Sequence, residues 1–167
     1  MASSIAGRQR VAGTRRFADE DRFAIGAHLL RLSDRDRQMR FCRAVSDAAA
    51  AAYVERIDFE KSVFVGYFDE SDLLIALAEG FPYVDRAVRT LEVAFSTDEL
   101  WRRQGLARLL LVEVTDFACD RCIDQVVAQC LVANRQMRAL LGAVGAVCHI
   151  DDGEVVGELQ LVAHTAR

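Results

Sequence analysis

The chain changes its hydrophobic period several times, and each change predicts an element. Val63, Val65 and Tyr67 alternate with Phe64, Gly66 and Phe68, which predicts a strand over 62–68. A polar turn at Asp69-Glu70-Ser71-Asp72 leads to a second strand over 73–79, so strand, turn and strand read as a hairpin. Gly80-Phe81-Pro82 is expected to end that strand, and residues 89–97 form the next. Leu106, Leu109, Leu110, Val114 and Phe117 then recur at helical spacing and mark the buried stripe of a helix over 106–118. Residues 125–132 are a short apolar strand; reached through a helical crossover, it should run parallel to 89–97. A helix over 134–142 follows, then a hairpin of 147–150 and 154–162 around Asp151-Asp152-Gly153.

Upstream, residues 28–32 are read as a first strand. Ser33-Asp34 looks like a helix start for 34–44, and Ser46-Asp47 begins a second helix through the alanine run to about Ile57. The expected order is β-α-α-β-β-β-α-β-α-β-β, an α/β (α+β) fold with a mixed, mainly antiparallel sheet. Residues 1–24 hold five arginines among small and polar residues with no sustained period, and are expected to be a flexible tail. Residues 25–167 would then be one domain, a length that suits a single sizeable core.

Composition narrows the function classes. The chain is 52% hydrophobic and 28% charged, ordinary for a globular protein. A net charge of −4 argues against a general nucleic-acid binder. No apolar run approaches the roughly 20 residues needed to span a bilayer, so no membrane partner is expected. Five cysteines in an odd count, without small-scaffold spacing, read as reduced thiols in a cytoplasmic protein. Cys119-x-x-Cys122 has metal spacing, but no second pair follows and the three histidines stand apart, so no metal is expected.

The chemistry concentrates at Trp101-Arg102-Arg103-Gln104-Gly105-Leu106-Ala107, where the strand over 90–97 gives way to the amphipathic helix. An Arg-x-x-Gly-x-Ala turn opening a helix is a pyrophosphate cradle. Glycine lets the backbone approach the ligand, and the unpaired N–H groups of the first turn, at the positive end of the helix dipole, face the phosphates. About thirty residues on, Asn134 opens the next helix.

At these residues the chain resembles the GCN5-related N-acetyltransferase (GNAT) family. Arg102, Gly105 and Ala107 match its pyrophosphate turn, and Asn134, Met137, Leu140 and Gly145 match a second feature. The resemblance extends over about residues 28–162. It implies a GNAT-like fold, acetyl-CoA as cosubstrate, and acetyl transfer to an amine by direct attack. Phe95, Ser96 and Thr97 would offer backbone groups to the pantetheine arm, and the Thr97 N–H would polarise the thioester carbonyl. Arg102, Arg103 and Gln104, with the amides of Gly105, Leu106 and Ala107, would hold the diphosphate; Asn134 would turn towards the pantetheine or serve only as a helix cap.

Glu92, beside the proposed acetyl site, is the candidate base; Glu79 on the neighbouring strand is another, and each could equally be a charge at the wet rim of the sheet. The acceptor would be an amine on a small molecule or a protein, and a homodimer is an open expectation. One departure matters. Many members carry a tyrosine seven residues after the asparagine, able to protonate the departing thiolate, and here that position is Leu141. A non-catalytic acyl-CoA-binding sensor therefore stays open beside the enzyme.

Overall fold

A computed structural model describes residues 12–161. The elements are β1 (Gly13–Arg16), α1 (Arg22–Arg31), α2 (Asp34–Phe41), α3 (Asp47–Glu55), β2 (Val63–Phe68), β3 (Leu74–Asp85), β4 (Val88–Thr97), α4 (Leu106–Asp120), β5 (Gln125–Leu131), α5 (Arg135–Ala143), β6 (Val147–Asp151) and β7 (Glu154–Gln160). They build a seven-stranded sheet in the order β1-β2-β3-β4-β5-β7-β6. Every neighbouring pair is antiparallel except β4 with β5, which run parallel as the crossover through α4 requires.

Helices cover both faces. On one, α4 lays Leu106, Leu110, Leu111, Val114 and Phe117 against Val63 and Val65 of β2 and Leu91 and Val93 of β4. On the other, Ile25 and Leu29 of α1 and Val54 of α3 meet Phe64 and Leu77 of the sheet. Alternate residues of β2 therefore serve different cores, Val63 and Val65 the first and Phe64 the second.

Three sequence expectations need correction. Residues 28–32 are not a strand: His28 and Leu29 belong to α1. The short apolar run hides a helical period, because Ile25, His28, Leu29 and Leu32 are buried together at i, i+3, i+4 and i+7. The first strand lies instead at Gly13–Arg16, inside the segment expected to be tail, and pairs with β2 from Gly13↔Phe68 to Arg16↔Val65. A four-residue strand rich in arginine carries no readable alternation. Residues 17–24 of the expected tail are ordered too, through a 3-10 turn at Asp19–Asp21 into α1 from Arg22, while residues 1–11 lie outside the described residues.

The third correction concerns β3, which does not stop at Gly80-Phe81-Pro82 but runs on to Asp85. The ladder with β2 ends at Val63↔Gly80, so β3 beyond that point is paired only with β4. The Asp98 N–H donates to the Ile75 carbonyl, which makes Thr97↔Ala76 a pair without mutual hydrogen bonds, and alternation carries the same status to Pro82↔Leu91. The N–H that proline lacks would thus point to the open edge, where nothing needs it.

Candidate active site

The parallel ladder between β4 and β5 covers only Thr90↔Gln125, Leu91↔Val126 and Glu92↔Val127. Both strands continue, β4 to Thr97 and β5 to Leu131, so beyond Glu92 they part and leave a wedge. Asp98 donates to β3, and residues 97 and 95 therefore turn their own N–H and C=O groups the other way, into that wedge. Such groups form a ready template for an extended ligand.

At the wide end, a 3-10 turn at Glu99–Trp101 leads into α4. Arg103 (φ 61°) and Gly105 (φ 81°) both sit in the left-handed region, and this bend turns the amides of the first helical turn outward. Leu109 N–H is bonded to the Gly105 carbonyl, so the N–H groups of 106–108 lie ahead of the intrahelical ladder. A Cβ built on Gly105 would meet nothing within 4 Å. The wedge and the bend share one cavity of about 610 Å³, lined from β4 by Phe95, Ser96 and Thr97, from the loop by Arg102, Arg103 and Gly105, and from α5 by Asn134 and Met137. Its size falls within the range for small-molecule sites.

The site residues expected from sequence divide into three groups. Phe95, Ser96, Thr97, Arg102, Arg103, Gly105, Leu106, Ala107 and Asn134 all line the cavity. Arg102, though present, is already engaged: its Nη2 lies 2.7 Å from Asp36 Oδ2 on α2, and its Nε donates to the Thr97 carbonyl at 3.4 Å. Gln104 is exposed and donates to the Leu100 carbonyl rather than facing the cavity. Asn134 Oδ1 accepts from the Met137 N–H at 3.0 Å, which is an N-cap and uses one of its two lone pairs.

Glu92 is exposed on the face of the sheet shared by Ala94 and Ser96, and is not among the cavity-lining residues. Glu79, by contrast, is fully buried and committed. Arg40 from α2 donates Nε to Oε1 at 3.0 Å and sets Nη2 2.7 Å from Oε2, while the Tyr53 hydroxyl donates to the same carboxylate. Burial opposes the charge on Arg40, but the Glu79 carboxylate outweighs it and raises the guanidinium pKa. Burial, then Glu79, push the Tyr53 phenol far above its ordinary value, so it stays protonated and donates. Leu141 is buried in the α5 core against Gly157, where an added Cβ would come within 2.7 Å of Leu141 Cδ1. No tyrosine lines the cavity among the described residues.

Sequence reasoning missed several lining residues: Leu32, Asp36, Met39 and Arg40 from the α1–α2 corner, and Arg135 from α5. Arg135 immediately follows Asn134, so the cap itself was the available signal. The α2 residues carried none.

A second polar cluster borders the cavity. His28 is wholly buried on α1. Its Nδ1 lies 3.2 Å from both the Leu74 carbonyl oxygen and Asp98 Oδ1, and its Nε2 lies 2.9 Å from Ser96 Oγ. Arg31 Nη2 also holds Asp98 Oδ2, at 3.0 Å. Burial pushes the Asp98 carboxyl up, but His28 and Arg31 outweigh it and hold it below the usual carboxylate range. Among the described residues, no group of three His, Cys, Asp or Glu side chains could hold a metal ion. No described helix is long and apolar enough to cross a membrane.

A wedge between parallel strands, joined to a helix-opening bend in one cavity, sets the class of α/β fold to which this mixed, mainly antiparallel sheet belongs. The chain has the GNAT fold. The GNAT domain of S. lividans PAT superposes with a TM-score of 0.76 at 24% identity, over 90% of each chain. A ribosomal-protein-S5-alanine acetyltransferase from Vibrio fischeri gives 0.70 at 13%, over 93% of this chain and 98% of its own. A GNAT superfamily phosphinothricin acetyltransferase from Sinorhizobium meliloti, solved in complex with AcCoA, gives 0.69 at 18%, over 95% and 92%. No family model matches the sequence, and no curated relative matches it.

Proposed function

We propose that this protein is an acetyl-CoA-dependent N-acetyltransferase. The observation that carries the reading is the continuity of the strand wedge with the Arg103–Ala107 bend in one cavity. The pantetheine arm would pair with the free edge of β4 at Phe95 and Thr97, and the diphosphate would rest on the amides of 105–107. Among the described residues, Arg103 and Arg135 line the cavity without carboxylate partners, so they are the cations placed to meet phosphate; Arg102 would have to leave Asp36 first.

Transfer follows from this placement. The Thr97 N–H donates to the thioester oxygen, and its effect grows as that oxygen becomes an oxyanion. An amine acceptor with a pKa near ~10.4 is only about one-thousandth neutral at pH 7.4, so its proton must be removed before or during attack. Glu92 is the proposed acceptor of that proton, reached through water because it stands outside the cavity wall. With Leu141 in the core, the thiolate leaves without a phenol; a thiol pKa near ~8.5 makes that tolerable. The acceptor, a small molecule or a protein amine, would enter beside α2.

The buried Leu141 also favours a second reading, a sensor that binds acyl-CoA without turning it over. Calorimetry with CoA, and free-thiol release from acetyl-CoA with a panel of amines, separate the two. One-to-one binding with thiol release that depends on the amine supports the enzyme. Binding without release on any amine supports the sensor, and no binding removes both.

A further inference from the structure

Ser96, His28 and Asp98 stand in the order of a nucleophile, a base and an orienting carboxylate. Which ring nitrogen of His28 bears the proton is fixed by its partners. Nδ1 faces two groups that can only accept, the Leu74 carbonyl and the Asp98 carboxylate, so it carries the hydrogen. With the hydrogen on Nδ1, the second nitrogen of an uncharged ring can accept, and the Ser96 hydroxyl 2.9 Å away is placed to donate to it. This is the polarity that activates a serine. Asp98 is kept ionised by Arg31 and by His28 itself, and can stabilise an imidazolium in a site where His28 has no exposure. Among the described residues, no donor occupies the lone pairs of Ser96 Oγ, and Ser96 lines the cavity. The next amide along the chain, that of Thr97, points into the wedge. An amide directly after a nucleophilic serine is where acyl-transfer enzymes place an oxyanion donor.

We propose that Ser96 is a nucleophile that takes the acetyl group from acetyl-CoA when no amine is present, giving the protein a slow acetyl-CoA hydrolase activity. The inference rests on the acetyl-CoA reading above. In the first half, Ser96 Oγ bonds to the thioester carbon, its proton passes to His28 Nε2, the C–S bond breaks, and the thiolate leaves with that proton as free thiol. In the second half, water adds to the Ser96 ester, His28 takes the water proton, the C–Oγ bond breaks, and Ser96 recovers its proton as acetate departs. No oxidant, metal or further reactant is needed.

The full chain is incubated with acetyl-CoA without amine, quenched in acid, and mapped by peptide mass spectrometry while thiol and acetate are followed. CoA binding is measured in parallel by calorimetry. The expected result is one acetyl group on the peptide bearing Ser96, or, where deacylation outpaces acylation, thiol and acetate released together. Ser96→Ala abolishes both signals, and His28→Gln lowers thiol release by about 10²- to 10⁴-fold, the usual worth of a positioned base. Lys61 is the single lysine, so stray amine acetylation is mapped apart with ease. CoA bound, with neither ester nor thiol release from the unaltered protein, overturns the proposal while leaving the acetyltransferase reading intact. No CoA binding overturns both. Thiol release unchanged in a folded Ser96→Ala also overturns it, and leaves the cluster as a tie between α1 and β4.

Discussion

Arg102 and Asp36 are joined across the cavity, Nη2 to Oδ2 at 2.7 Å, so the first arginine of the loop proposed for the diphosphate is spent on α2. The same carboxylate accepts from the Ser33 hydroxyl, the N-cap of α2, which fixes it in place. A diphosphate arriving at the loop must share Arg102 with a like-charged competitor. Asp36→Asn should therefore tighten CoA binding by about twofold to fivefold, the scale of a partly exposed ion pair. The gain should shrink as salt rises. Calorimetry at two ionic strengths measures it, and weaker binding would mean that Asp36 positions Arg102 for the ligand rather than withholding it.

Gly105 has φ 81° and empty space where a side chain would stand. Gly105→Asp puts a carboxylate among the amides proposed for the diphosphate, and CoA affinity should fall by at least about 100-fold. Backbone strain costs only about 1–2 kcal/mol, so the fold should survive. Gly105→Ala bears the strain without the charge and separates the two effects. Unchanged CoA binding in the Asp variant would move the diphosphate elsewhere.

Much of this site was legible because backbone geometry carries it. Gly105, at φ 81°, marks a bend that few other residues permit, and the crossover through α4 forces β4 and β5 to be parallel. The α1–α3 corner was opaque for a physical reason: its contributions are side chains brought together from distant segments. Arg40 meets Glu79 across thirty-nine positions and His28 meets Ser96 across sixty-eight, and neither pairing leaves a local period. Pro82 misled for the opposite reason. The residue breaks a ladder only where its own N–H side is paired, and the sequence does not say which residue of β3 faces Val63, the first of β2.

Glu92 tests the route of the acceptor proton. It lies outside the cavity wall on the face it shares with Ser96, four residues and about 13 Å away along β4. If water links it to the amine, Glu92→Gln should flatten the rise of acetyl transfer with pH while leaving CoA affinity unchanged. The pH–rate profile of the two proteins decides it. Superimposable profiles would remove Glu92 from the reaction.

Arg40 and Glu79 are a buried pair, and their effect on stability is strongly asymmetric. Arg40→Met strands a carboxylate with no exposure, leaving only the Tyr53 hydroxyl, and should cost about 3–5 kcal/mol. Adding Glu79→Gln removes the stranded charge and should restore most of that loss, since paired removal of a buried ion pair is often nearly neutral. Urea unfolding of the two variants reads the difference. Equal destabilisation in both would mean that packing, rather than charge, holds α2 to the sheet.

Asp98 gives the fold a defined acid limit. Its folded carboxyl is held below the ordinary value of about 3.9 by His28 and Arg31, against the opposing effect of burial. Near that pH the unfolded chain binds more protons at this position than the folded one, so its contribution to stability rises with pH. It is fully present above the unfolded value and is lost as pH falls through the lower, folded one. Asp98→Asn keeps the shape and removes the titration. Its melting temperature should sit below that of the parent at neutral pH, and the gap should close as the pH drops below about 3.9. Melting curves across that range measure it. A gap constant with pH would show that Asp98 stabilises the α1–β4 junction through neutral hydrogen bonds alone.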